Sequence, residues 1–396
     1  MNFYTLKDFN FNGKRALLRA DFNAPIDEKG KITDDIKIRD ALTTIKYLIS
    51  KKCKLIIISH LGRPEGKVVE SLRLNHVALV LSKLLKKKME KLDYVTGQIV
   101  EQRIKKMKDG EIIMLENVQF EPGEKNNDEA YAKTLASYCD YFVFDAFGQA
   151  HRDYASISGI QKFVPSCAGF LVEKEIENLS ILEHAEKPFV AIIGGAKSDK
   201  IDVIGHLVNM VDTILIGGIL ANTFLKAKGV DIGKSKFDSE SLESAKKLLE
   251  QYDEKIKLPV DAVVADKFDK KAKTNNVLID KVNKRWTIVD IGKETVKEYK
   301  KLLQNAKTIV WAGPLGAFET KKFEKGTSAI ALFLGKLRSV RIIGGGDSSA
   351  AVDKFKVAKK MTHVSSGGGA TLDFISGRVL PGIKALEENY RRFRVK

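Results

Sequence analysis

Three short polar runs in the N-terminal half hold the residue types that grip a small anion. They are Asp21-Phe22-Asn23, His60-Leu61-Gly62-Arg63 and the stretch from Asp145 to Arg152, which includes His151. Arginine offers a planar fork of N–H donors matched to phosphate or carboxylate. Asp accepts hydrogen bonds, and Asn both accepts and donates, as a substrate hydroxyl requires. Singly, these residues have plainer roles: His60 as a loop hydrogen-bonder, Asp21 as a helix cap. Their recurrence after successive apolar runs points to a binding rim.

The C-terminal half carries glycine in the equivalent places. The runs are Gly194-Gly195-Ala196-Lys197, Gly217-Gly218, Gly313-Pro314-Leu315-Gly316, Gly344-Gly345-Gly346-Asp347 and Gly367-Gly368-Gly369. Glycine lets a ligand approach the backbone and tolerates positive φ. A helix N-terminus beyond such a turn favours phosphate. One Gly pair is an ordinary tight turn; the repetition implies a nucleotide lying along this rim. Asp347 is placed either to meet a phosphate-bound Mg²⁺ or to cap a helix.

Strands must position these runs. Apolar, β-branched stretches are expected as strands at 15–20, 54–59, 111–115, 141–144, 189–193, 213–216, 260–265, 308–311, 340–343 and 362–365. They are continuous rather than alternating, which fits parallel strands buried on both faces. Helical periodicity lies between them, as over 40–50 and 239–252, so the class is α/β. In an open α/β sheet ligands bind beyond the carboxyl ends of the strands, so the residues after each strand share one rim. A loop near Phe163-Val164-Pro165-Ser166 leads into a helix expected over 172–186, which divides the chain.

Composition narrows the partners. The 396 residues include 68 Lys+Arg against 51 Asp+Glu, a formal net charge of +17. That balance favours anionic ligands, or else reflects a Lys-rich solvated surface. A hydrophobic content of 44% excludes a disordered or collagen-like chain. Cys53, Cys139 and Cys167 show no CxxC spacing, so neither a disulfide framework nor a structural zinc site is expected. No apolar run approaches the ~18 residues of a membrane span. The first eight residues lack a signal peptide's apolar core, so no membrane and a cytoplasmic location are expected. The basic runs at 86–88 and 391–394 have no interleaved aromatics, so no nucleic acid is expected as a partner. The stretch from Gly229 to Ser235 is one residue short of a P-loop, and no GxGxxG with a following acid occurs.

On these motifs, together with Leu115-Glu116-Asn117-Val118 and Ser366-Gly367-Gly368-Gly369-Ala370, the sequence resembles the phosphoglycerate kinase family nearly end to end. The resemblance implies two Rossmann-like domains with parallel sheets, joined by a long helix and hinge. Residues 1–167 plus 380–396 would bind phosphoglycerate, and 168–379 the nucleotide. It implies reversible transfer between ATP and the carboxylate of 3-phosphoglycerate, giving 1,3-bisphosphoglycerate and ADP. Mg²⁺ would accompany ATP or ADP, and a monomer would close about its hinge. Position by position, Asp21, Phe22, Asn23, Lys37, His60, Leu61, Gly62, Arg63, Gln119 and Arg152 would contact the substrate. Lys37, Lys197 and Lys200 would act on the transferring group. Lys197, Lys200, Gly217, Gly218, Gly292, Glu319, Gly344 to Ser348 (with Gly345, Gly346 and Asp347) and Gly367 to Gly369 (with Gly368) would hold the nucleotide. Asp347 would meet the metal.

Several positions depart from the family pattern. Lys37 and Gln119 stand where it has arginine, Ile219 where it has a third glycine, and Ala312 where it has asparagine. Lys197 and Lys200 are three apart instead of four. Lysine keeps the charge of arginine but loses the fork. The alternative implied is a relative that holds nucleotide without transferring, or one with a shifted substrate.

Overall fold

The β-branched runs of the first half pair side by side. β1 (Arg15–Ala20), β2 (Lys54–Ile58), β3 (Glu90–Lys91), β4 (Ile112–Met114), β5 (Tyr141–Asp145) and β6 (Ser166–Ala168) form a sheet in the order β3-β4-β2-β1-β5-β6. Every pair is parallel. Side chains alternate across a strand, so Leu18, Leu55, Ile57 and Val143 cover one face. They pack with Ile38 of helix Ile36–Asp40 and with Ile45 and Leu48 of helix Leu42–Ser50. The helix expected over 40–50 is helix Leu42–Ser50, preceded across Ala41 by the short helix that ends at Asp40. The computed structural model describes residues 2–28, 30–196 and 200–394.

The chain divides into two units, Met1–Glu177 with Val379–Lys396, and Asn178–Arg378. It passes between them within helix Phe170–Ser180, which ends before the expected 186 and gives way to a 3₁₀ turn, Ile181–His184. The last helix, Pro381–Arg392, returns to the first unit. It opens with proline, whose missing N–H costs nothing at a helix start. Asn389 fastens it there: Nδ2 donates to the carbonyls of Gln161 and Val164, and Oδ1 accepts the Ser166 N–H at 2.9 Å.

In the second unit β7 (Phe189–Ile193), β8 (Thr213–Ile216) and β9 (Ile256–Lys257) are followed by β10 (Asp261–Ala265), β11 (Thr274–Leu278) and β12 (Thr287–Ile291). Then come β13 (Thr308–Ala312), β14 (Val340–Gly344) and β15 (His363–Val364). The main sheet is parallel with the order β15-β14-β13-β7-β8-β9. The chain starts at the centre, builds outward on one side, then returns and builds on the other. That is the doubly wound order. The expected strand over 260–265 does not join this sheet. It is β10, the middle of a separate antiparallel sheet, β11-β10-β12. Its apolar run reads like a buried parallel strand, while its partner β11 (Thr-Asn-Asn-Val-Leu) is mostly exposed and polar.

Each parallel sheet has one place where the direction of strand addition reverses, between β1 and β5 in the first and between β7 and β13 in the second. Loops leaving neighbouring strands there part to opposite faces and open a crevice. The polar runs after β1 and β5 stand at the first of these places and the glycine runs after β7 and β13 at the second, with the other runs beyond neighbouring strands.

Candidate functional site

In the first unit, the ends of β1 and β2 are tied together. Ser59 Oγ donates to the Ala20 carbonyl at 2.8 Å and accepts the Phe22 N–H at 2.9 Å. Asn23 Oδ1 accepts the Gly62 N–H at 2.8 Å, and Asn117 Nδ2 donates to the Leu61 carbonyl at 2.8 Å. Gly62 has φ +66°, and a Cβ there would stand 2.6 Å from Leu72 Cδ2. The loop thus aims His60 and Asp21 while the side chains of Phe22 and Leu61 sink into the core. Lys37, from helix Ile36–Asp40, donates to Asp21 Oδ2 at 2.9 Å. Burial works against the Asp21 carboxylate. Attraction to the His60 ring, which is charged only in strong acid, and to the Lys37 ammonium, with the Asn23 N–H, overcomes it and holds the pKa down to about 2. Arg63 and Arg152 are exposed cations, and Arg152 is close enough to bear on the charge of His60. Gln119 is buried in the 3₁₀ turn Val118–Phe120, and its Oε1 has no hydrogen-bond partner. Asp145 turns away from this group: its Oδ1 accepts the N–H groups of Leu171 and Val172 at the start of helix Phe170–Ser180.

Behind the loop lies a group that sequence reasoning missed. Arg19 alternates with Leu18 and Ala20 on β1, faces the opposite side of the sheet, and is fully buried. Its guanidinium meets His60, the Ala20 carbonyl and Ser156, and Ser156 in turn meets the buried Glu124. A charged side chain within a strand carries no local sign of being buried; its partners stand 41 and 137 residues away along the chain.

In the second unit, a cavity of about 530 Å³ opens where β7, β8 and β13 end and reaches the antiparallel sheet. Gly195, Gly218, Gly316, Glu319 and Asp347 line it. Gly217 is the N-cap of helix Gly218–Ala227. Gly345, at φ +86°, is the N-cap of helix Gly346–Lys354, which carries Asp347 and the buried Ser348 in its first turn. Ser348 Oγ accepts the Gly313 N–H, joining the loop after β14 to the loop after β13. Lys200 is buried, and its ammonium donates to the carbonyls of Gly194 and, at 3.3 Å, Ala312. Lys197 lies outside the described residues. Ile219 lies on the cavity wall.

Of the expected nucleotide residues, Gly218, Glu319 and Asp347 line the cavity, whereas Lys200, Gly217, Gly292, Gly344 to Gly346, Ser348 and Gly367 to Gly369 stand outside the lining. Gly292 packs its Cα against Asp261, whose carboxylate a Cβ would meet at 2.2 Å. Gly368 and Gly369 open helix Gly369–Ile375 beyond the edge strand β15. The cavity also recruits residues not foreseen. Lys234 comes from the segment set aside as a broken P-loop and Lys236 from just beyond it, and Lys267, Phe268 and Arg285 come with the antiparallel sheet. Asp290 is buried at its floor, and burial pushes the carboxyl up to about 8 although the Ile291 N–H at 3.0 Å and the Gly326 N–H donate to it. Among the described residues no three His, Cys, Asp or Glu gather as a metal cluster, and no helix is long and apolar enough to cross a membrane.

These features define a doubly wound α/β protein with two Rossmann-like units, the first presenting cations at its switch point and the second glycine turns around a cavity. The phosphoglycerate kinase family model matches residues 6–378. The chain is 46% identical over 387 residues to the phosphoglycerate kinase of Pelotomaculum thermopropionicum, covering 96% of this chain and 98% of that one. It is 48% identical over 389 residues to that of Moorella thermoacetica, covering 97% and 99%. The solved phosphoglycerate kinase of Coxiella burnetii superposes with a TM-score of 0.89 at 42% identity, covering 98% of this chain and 99% of that one. That of Pyrococcus horikoshii gives 0.87 at 34%, covering 98% and 100%. The chain belongs to the phosphoglycerate kinase family.

Proposed function

We propose that this protein catalyses reversible phosphoryl transfer between ATP and the carboxylate of 3-phosphoglycerate, forming 1,3-bisphosphoglycerate and ADP. The observation that carries the reading is the presence in one family member of a cationic switch point and a glycine-walled cavity, each on its own parallel sheet. In this reading Arg63 and Arg152, with His60, grip the substrate phosphate. Asp21 and Asn23 take its hydroxyl and carboxylate end. The glycine turns let polyphosphate lie against bare N–H groups, Glu319 takes the ribose, and the apolar wall with Phe268 takes the base.

Phosphoryl transfer asks a protein for positioning and charge stabilisation more than for covalent chemistry. Lys37, Lys197 and Lys200 supply the positive charge for the transferring group. Lys37 does so while paired with Asp21, so substrate binding has to share or release that contact. Asp347 is one of the carboxylates lining the cavity and stands in the first turn of its helix. It suits a cation that arrives with phosphate oxygens and waters as its main ligands, as Mg²⁺ does. Mg²⁺ bound there would neutralise charge on the β- and γ-phosphates. We further place the protein in the cytoplasm as a monomer, which fractionation and light scattering test. The activity itself is tested by coupling 3-phosphoglycerate and MgATP to a dehydrogenase that consumes the bisphosphate: turnover is expected, and a folded protein that gives none refutes the reading.

A further inference from the structure

A guanidinium has five N–H donors and nothing to accept with. Arg19 Nη2 stands 3.2 Å from His60 Nδ1, and both side chains are buried. That contact is a hydrogen bond only when Nδ1 carries no proton. Arg19 is held in place on its other sides. Nε donates to Ser156 Oγ at 3.0 Å, and Nη1 donates to the Ala20 carbonyl at 2.5 Å. Ser156 donates through Oγ to Glu124 Oε1 at 2.5 Å and through its N–H to Oε2 at 2.9 Å. Glu124 supplies the buried countercharge that an interior guanidinium needs.

We propose that Arg19 is a positioning residue that fixes His60 as the neutral imidazole with its proton on Nε2, so that His60 meets the substrate as an uncharged donor and not as a cation. The part of this that names a substrate rests on the reading above; the protonation state stands without it. Among the main influences on the ring, burial disfavours the imidazolium, as do the charges of Arg19, Lys37 and Arg152, and Asp21 favours it. The balance pushes the ring down to about 3. The positive charge offered to phosphoglycerate then comes from Lys37, Arg63 and Arg152, and His60 contributes direction.

The test is ¹⁵N spectroscopy of the ring nitrogens of His60 in the ligand-free full-length protein from pH 5 to 8. The expected result is an unprotonated Nδ1 and a protonated Nε2 throughout. A ring that titrates near the ordinary pKa of about 6.5, or one protonated on Nδ1, overturns the proposal. In Arg19→Gln the fork is lost, and the ring is expected to titrate within that window or to exchange tautomers. An unchanged signature would show that Arg19 does not set the state. Should that variant fail to fold, Arg19→Lys keeps the charge without the fork and is read in the same way. A native ring fixed on Nε2 in a protein inactive on 3-phosphoglycerate supports the assignment of Arg19 while removing the proposed substrate.

Discussion

Asp21 sits where two demands on one charge meet. Its carboxylate is buried, which resists ionisation, yet Lys37 at 2.9 Å and the Asn23 N–H keep it ionised. A carboxylate with a folded pKa near 2, against an ordinary value of 3.8, stabilises the fold above the higher value. That stabilisation is lost as the pH falls from about 4 towards 2. By linkage it amounts to about 2 kcal/mol. Denaturant melts of the native protein and of Asp21→Asn are expected to show a gap that closes across that acid window; a gap constant with pH contradicts the pairing. Lys37 carries the second expectation at this scale. Removing one electrostatic stabiliser of a transition state costs about 3 kcal/mol. Lys37→Ala is therefore expected to lower kcat by about 100-fold, with Lys37→Arg retaining most of the rate. A fall in kcat of less than threefold for Lys37→Ala would place the ammonium outside the chemistry. Asp21, Asn23, His60 and Arg63 were legible because each follows an apolar strand. Arg19 and Glu124 were not, because their meaning depends on contacts made far along the chain.

Loops and helices convert those residues into a site, and glycine shows how tightly. Gly218 has φ +64°, and a Cβ there would stand 2.6 Å from the Gly195 nitrogen and 2.9 Å from the Pro314 carbonyl. Neither backbone can yield without widening the cavity. Gly218→Ala is expected to weaken MgADP binding at least tenfold in calorimetry; an unchanged affinity would separate this turn from the nucleotide. The C-terminal helix makes the same point about stability. Asn389→Ala would leave the Gln161 and Val164 carbonyls and the Ser166 N–H without their partner. The cost is about 3 kcal/mol, read as a lowered urea midpoint at unchanged slope. The parallel strands were legible because continuous β-branched runs mark burial on both faces. The antiparallel sheet was not, because β11 is polar and exposed and its pairing with β10 depends on register alone. The lysines at 234 and 236 were hidden for the same reason, since it is that sheet which completes their cavity.

At the scale of the whole molecule there are two sheets with separate cores, which in the proposed reading divide the labour of one reaction. Net charge of +17 raises the local concentration of anionic substrates around both units. It carries no specificity, which in the proposed reading comes from the cationic loops of one unit and the glycine turns of the other. The departures read from the sequence at Lys37, Gln119, Ile219 and Ala312 fall on the helices, turn and strand end that carry or adjoin those loops, so the rate is the quantity most sensitive to whether the arrangement still works. The decisive measurement is steady-state turnover with 3-phosphoglycerate and MgATP, repeated with each substrate omitted. The account predicts formation of 1,3-bisphosphoglycerate that requires both. A folded protein that binds MgADP yet forms no bisphosphate at any substrate concentration would contradict it.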